Sequence, residues 1–293
     1  MAGCLSRLAK MILNLDKHPD GRKITGTDVP WWNLTYDVTV ALRARMDAEG
    51  WAPATINKYM SAIRGVAEQS WRLGLMNSET RDRIKAVAGS KGTRLPAGRQ
   101  VPEAERDALL AACDDGTPKG TRDAAVIALM YATGARRAEL ASLDISGWSP
   151  SARQFRVIGK RNKERILPVS TEAVPLLTAW LRVRGPSPGP VFCPVRKNGA
   201  IAIARLTGQT MLDIVKERSK HAGLRHGEAP SPHDFRRTVV GDLLDEGADL
   251  ATVQRIAGHS SPATTARYDR RPDAAMLAAV DKLHIRQPKG DGN

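Results

Sequence analysis

The sequence predicts a mainly α protein with a small antiparallel β-sheet, built as two domains. Three observations carry that prediction. At 293 residues and 42% apolar content, the chain is long enough to bury two cores. Apolar residues recur at three-to-four spacing through most of it, the period of a half-buried helix. Strand-like alternation gathers in one stretch around residues 153–169.

The first domain, residues 1–88, reads as helical. "LTYDVTVALRARMDAEG" is bounded by Gly50, and "PATINKYMSAIRGVAEQSWRLG" opens on Pro53 and closes at Gly74, the residues that start and stop helices. Ile56, Met60, Ile63, Val66 and Ala67 form the core stripe of the second helix. Lys58, Arg64 and Arg72 fall elsewhere on it, which fits either a solvated charged face or a surface for an anionic partner. Residues 89–102, "GSKGTRLPAGRQVP", hold three bases (Lys91, Arg94 and Arg99), three glycines, two prolines and no acid, the composition of a basic linker.

The second domain, residues 103–293, begins with two helical stretches, "PEAERDALLAAC" and "GTRDAAVIALMYATG", the latter closing at Gly134. "RQFRVIGKRNKERILPV" reads as a hairpin, its apolar positions Phe155, Val157, Ile166 and Val169 flanking a polar turn. Helices return from Thr171, interrupted by the loop "GPSPGP" at 185–190. "DAAMLAAVDKLHI" is amphipathic, with Met276, Leu277, Val280 and Leu283 on one side, and the tail after it is expected to be disordered.

Charge narrows the partners. Against 31 acids stand 45 Lys and Arg, a formal charge of +14, which favours a polyanion such as nucleic acid. Cys4, Cys113 and Cys193 are too few and too scattered for a zinc site or a disulfide framework, so a reducing, cytoplasmic setting is expected. No apolar run approaches the ~20 residues of a membrane span. No acidic cluster suits Mg²⁺ and no glycine-rich phosphate loop is present, so neither metal nor nucleotide cofactor is expected.

The candidate chemistry is spread along the second domain. In "YATGARRAEL" one helix ends and another begins at once, placing Arg136 at a helix N-terminal turn, where backbone N–H groups already favour an anion. "VIGKRNKERI" puts Lys160 in the hairpin turn. "SPHDFRRT" sets His233 and Arg236 three residues apart, on one helix face. "GHSSPATTARYD" then gives His259 and, nine residues on, Tyr268, with Arg267, Arg270 and Arg271 around it. A tyrosine among three guanidiniums asks for an anionic partner rather than a core.

In that order, with those flanking words, residues 103–285 resemble the tyrosine recombinase family, which includes the phage integrases and the Xer recombinases. The resemblance implies a helical core-binding domain followed by a catalytic domain, the two closing around duplex DNA. It implies that Tyr268 is the nucleophile on a DNA phosphodiester, that Arg136, Arg236 and His259 hold the phosphoryl oxygens, that Lys160 protonates the departing 5′ oxygen, and that His233 assists the proton of the tyrosine. Glu139 is expected to orient a neighbouring side chain. Lys58, Arg64, Arg72, Lys91, Arg94 and Arg99 are candidate DNA contacts. Lys163 and Arg165 fit DNA contacts and an ordinary exposed hairpin equally well. The implied partner is double-stranded DNA, bound at paired sites by a homo-tetramer of a chain that is monomeric when free, with the final helix docking on a neighbour.

No separate arm-binding domain is visible and the match fades before Leu34, which points to the integrase or transposition recombinase of a mobile element acting at short sites in a bacterial chromosome or plasmid. A Xer-like dimer resolvase, a type IB topoisomerase and a non-catalytic DNA-binding protein are the alternatives.

Overall fold

The computed structural model describes residues 2–92, 98–158, 164–225, 227–259, 261–266 and 280. The chain falls into two compact units, residues 1–96 and 97–293.

The first unit is helical. Helix α1 (Ala2–Leu13) is followed by an irregular segment with two short 3₁₀ turns, then by α2 (Tyr36–Ala48), α3 (Pro53–Arg72) and α4 (Ser78–Ala86). Their starts are set locally: the Thr35 hydroxyl accepts from Val38 N, Pro53 opens α3, and the Asn77 side chain accepts from Thr80 N. The α3 stripe is buried as its spacing requires, with Ile56, Met60, Ile63 and Ala67 all at 0% exposure, packed with Leu8, Ile24, Leu42, Met46 and Ile84. Val66 is half-buried against the same cluster.

The stretch read as a linker does not act as one throughout. Val101 is fully buried and its N–H donates to the Thr238 hydroxyl at 2.8 Å, so the end of that stretch is packed into the second unit.

In the second unit α5 (Glu103–Ala111) leads to α6 (Pro118–Thr133), which is buried on nearly all sides and carries the core. Ala125, Val126, Leu129 and Met130 pack with Leu177 and Trp180 of α8 (Ala173–Arg184) and Phe235 of α10 (Pro232–Asp245). Burying such side chains is worth about 1.5–3 kcal/mol each. The short α7 (Arg137–Ala141), α9 (Gly208–His221), α11 (Leu250–Ala257) and α12 (Pro262–Ala266) complete the helices among the described residues. Among those residues no helix is long and apolar enough to cross a membrane.

The sheet has three antiparallel strands in the order β1 (Trp148–Ser149), β2 (Gln154–Ile158) and β3 (Glu164–Pro168). Phe155 pairs with Leu167 and Val157 with Arg165. This register corrects the sequence expectation at one position: Ile166 is 44% exposed, whereas Leu167 and Val169 are buried. Because side chains alternate, the parity that turns Leu167 inward also turns Arg165 inward.

Candidate active site

Helix α6 ends at Gly134, whose φ of 56° and ψ of 22° put it in the left-handed region. An L side chain costs about 1–2 kcal/mol there, and a Cβ would come within 3.3 Å of Val239 Cγ1. The chain therefore reverses at once, and Arg136 becomes the N-cap of α7. Its backbone N–H donates to Glu139 Oε2 and its Nη1 to Glu139 Oε1, both at 2.9 Å, while Nη2 donates to the Gly258 carbonyl at 2.7 Å. Two of these hydrogen bonds fix a guanidinium whose side chain is still 46% exposed.

Helix α10 starts with a capping box. The Ser231 hydroxyl accepts from Asp234 N, and Asp234 Oδ2 accepts from Ser231 N at 2.8 Å. That start fixes the phase of the helix, with His233 and Arg236 three residues apart. Arg236 is buried and donates through Nη1 to the Gly134 carbonyl at 2.8 Å.

Helix α11 ends at Gly258, again left-handed, with φ 64° and ψ 42°. Here glycine is required twice, because a Cβ would also sit 2.8 Å from Arg165 Nη1. The next residue is held on both sides: His259 N donates to Gln254 O at 3.1 Å, and Gln254 Nε2 donates to His259 O at 3.0 Å. Its ring Nδ1 lies 2.8 Å from the Thr265 hydroxyl. Two helix C-termini, both glycine-capped, thus each present a carbonyl to one arginine, where the helix dipole favours positive charge.

Arg165 closes the arrangement from the sheet, with Nη2 on Glu139 Oε2 at 2.7 Å and Nη1 on Ile256 O at 2.6 Å. Glu139 is buried; that alone would raise its pKa, but the Arg136 N–H and the Arg165 guanidinium outweigh burial and hold it below the usual glutamate range. Among the described residues Arg136 and Arg165 share this one carboxylate, and Arg236 is held beside them by the Gly134 carbonyl. The surplus positive charge acts on both histidines. Loss of water around the ring, then the charges of Arg236 and Arg136, push His259 down to about 4. His233 is lowered for the same reasons, with Arg236 and Arg237 as the charges. At neutral pH both rings are uncharged, the form in which a histidine can accept a proton.

The structure therefore brings together Arg136, Glu139, Arg236 and His259, with His233 near enough to add to the repulsion on His259. Lys160, Tyr268, Arg94 and Lys163 lie outside the described residues. Of the other candidate contacts, Lys58 and Lys91 are exposed. Arg72 pairs with Glu68 at 3.2 Å, and Arg64 donates to Val87 O at 2.7 Å within the first unit. Arg99 is clasped by Glu105 through two bonds, of 2.5 and 2.6 Å. Arg165, a candidate DNA contact or exposed residue by sequence, is neither free nor exposed: its side chain is 15% accessible and scaffolds Glu139. Thr265 was invisible to residue-type reasoning, although its place six residues after His259 and three before Tyr268 was a usable signal. Among the described residues no group of three His, Cys, Asp or Glu is placed to hold a metal ion.

Residues 99–274 match the Phage integrase family. The tyrosine recombinase XerC of Mycobacterium sp. (strain KMS) is 34% identical over 263 residues, covering 87% of this chain and 84% of that protein. Among solved structures, the XerH site-specific recombinase bound to a palindromic difH substrate superposes with a TM-score of 0.63 at 19% identity, over 94% of this chain and 75% of the other. The Tn1549 transposon integrase in complex with transposon right end DNA gives 0.61 at 16% identity, over 95% and 92%. At these identities the structural likeness speaks for the fold.

Proposed function

The chain belongs to the phage integrase family and is a tyrosine-type site-specific DNA recombinase, and from that premise we propose how its residues divide the reaction. The Tyr268 phenol attacks a phosphodiester, the P–O5′ bond breaks, and the product is a 3′-phosphotyrosyl link with a free 5′ hydroxyl. A phenol of pKa about 10 needs help to lose its proton at pH 7. His233, kept neutral, takes it, and Lys160 supplies a proton to the departing oxygen. Arg136 and Arg236 bear on the non-bridging oxygens with His259. Preorganised donors of this kind are worth ~10²–10³ in rate each.

One observation carries this reading: among the described residues two guanidiniums share the Glu139 carboxylate and a third is held by the Gly134 carbonyl, a built positive site beside two neutral histidines. No metal need supply the charge. The partner is double-stranded DNA, to which the charge of +14 and the DNA-bound structural relatives lend support. We assign residues 1–88 to core-site binding and residues 103–293 to catalysis, in a homo-tetramer on paired sites that dissociates to monomers off DNA, in the bacterial cytoplasm.

The biological role that we propose is movement of a mobile element. The departure of the residues before Leu34 from the family's words supports it. Identity to XerC across most of the chain favours a second reading, a dimer resolvase.

The test is a nicked duplex that traps the covalent complex, run without metal and with candidate sites from a host element and its target. A covalent band for the wild type that Tyr268→Phe lacks is expected. No band at any site, despite salt-sensitive DNA binding, would sink the catalytic reading. Plasmid assays then separate joining of two unlike sites from resolution of a repeated one.

A further inference from the structure

Thr265 is completely buried on α12, and among the described residues its hydroxyl has one side-chain partner, His259 Nδ1 at 2.8 Å. Either atom of that pair can supply the hydrogen, and burial decides which does. A hydroxyl carries its own hydrogen into the interior, and a buried donor left without an acceptor costs more than the hydrogen bond it forgoes. If His259 Nδ1 held a proton, it would donate to Thr265, and the threonine hydrogen would be stranded. If Nδ1 is bare, the threonine donates to it and both groups are satisfied.

We infer that Thr265 is a positioning residue that fixes His259 as the Nε2–H tautomer, so that this ring acts as a neutral donor and not as a base or a cation. The inference rests on the reading above for its consequence, since the tautomer matters to the reaction only if His259 donates to the phosphoryl group. The supports of the ring are consistent with it. Gln254 grips the His259 backbone at both N and O, and Gly258 turns the chain sharply just before it, so the remaining freedom is rotation and tautomer. The hydrogen bond to Thr265 removes both. The guanidiniums of Arg136 and Arg236 act in the same direction, since they disfavour a second proton on the ring.

The same short segment thus carries two tasks in sequence: Thr265 orients the donor, and Tyr268 follows three residues later. A packing role alone would be filled equally well by valine, which has the shape of threonine without its hydroxyl. That difference makes the inference testable.

The full chain, labelled with ¹⁵N-histidine, is examined at pH 7 by long-range proton–nitrogen correlation, with His259 identified by its loss in His259→Gln. The expected wild-type spectrum has an unprotonated Nδ1 and a protonated Nε2. Thr265→Val should mix or reverse that pattern and slow single-turnover cleavage about tenfold, the order of one hydrogen bond, and Thr265→Ser should restore both. A wild-type ring protonated at Nδ1, or a Thr265→Val spectrum unchanged from the wild type, overturns the proposal. The wild-type spectrum reads the tautomer directly, even if the valine variant does not fold. Because that spectrum reads the ring itself, failure of the chain to cleave DNA would count against the proposed function while leaving the tautomer to be judged by the spectrum.

Discussion

Two arginine-rich clusters lie inside the second unit, and they differ in one respect. In the first, Arg122 and Arg218 share Asp123 at 2.6 and 2.8 Å, and Arg218 also reaches Asp115 at 2.8 Å, so two cations meet two anions. In the second, among the described residues, Arg136 and Arg165 share one anion, Glu139, while the carbonyls of Gly258, Ile256 and Gly134 accept from Arg136, Arg165 and Arg236. The first cluster is neutral and joins α6 to α9 through the core. A neutral set of buried charges is complete in itself, because each group's lost hydration is replaced by a partner. Among the described residues the second holds three guanidiniums and a single carboxylate. That excess is what distinguishes a binding site from a structural ion network: the guanidiniums are held in place, and their field is directed at an anion.

The largest effect should come from breaking the neutral cluster. Asp123→Ala leaves Arg122 and Arg218 buried without the carboxylate they share, a loss of about 3–5 kcal/mol. Denaturant unfolding should show it, while the cleavage rate per folded molecule stays near that of the wild type. Normal stability with lost cleavage would overturn the comparison. Arg236→Ala is the converse. It should cut single-turnover cleavage ~10²–10³-fold and cost less stability than Asp123→Ala, because it removes a cation from among like charges and does not leave two buried cations without the carboxylate they share. A variant that unfolds but cleaves normally when refolded on DNA would place Arg236 with the structural residues instead.

These clusters also show what a sequence yields. The helices were legible because their periods and punctuation are local: Pro53, Gly74, Gly134 and the Ser231–Asp234 box each act within a turn or two. Arg136, His233, Arg236 and His259 were legible because they sit in short, distinctive words at helix ends. The inward turn of Arg165 was not, since it depends on strand register, and Ile166 and Leu167 are adjacent apolar residues that suit either face. The roles of the Gly134 and Gly258 carbonyls were hidden for a different reason. A backbone acceptor has no residue type, so only the fold reveals which arginine it meets.

The smallest effect is a shift in the pH dependence of stability, and it separates the clusters by window. His259 is held near 4 in the folded protein, against an ordinary value of 6.5. Between those values the unfolded chain binds a proton that the folded chain refuses, so stability is full above pH 6.5 and declines as the pH falls toward 4. His233, lowered in the same field, adds to that decline. In the neutral cluster Asp115 is held down to about 2: burial would raise it, but its bonds from Thr117 and Arg218 prevail. Its contribution persists above an ordinary 3.8 and is lost only as the pH falls through 2. Thermal unfolding from pH 7.5 to 4.5 should therefore fall in the wild type by an amount on the order of 1–2 kcal/mol, and His259→Gln should flatten most of that slope. The neutral cluster contributes nothing in this range, so Asp115→Asn should lower the whole curve without changing its shape. If His259→Gln kept the wild-type slope, the ring would not be feeling the three guanidiniums, and the distinction between a balanced cluster and one with charge to spare would lose its electrostatic basis.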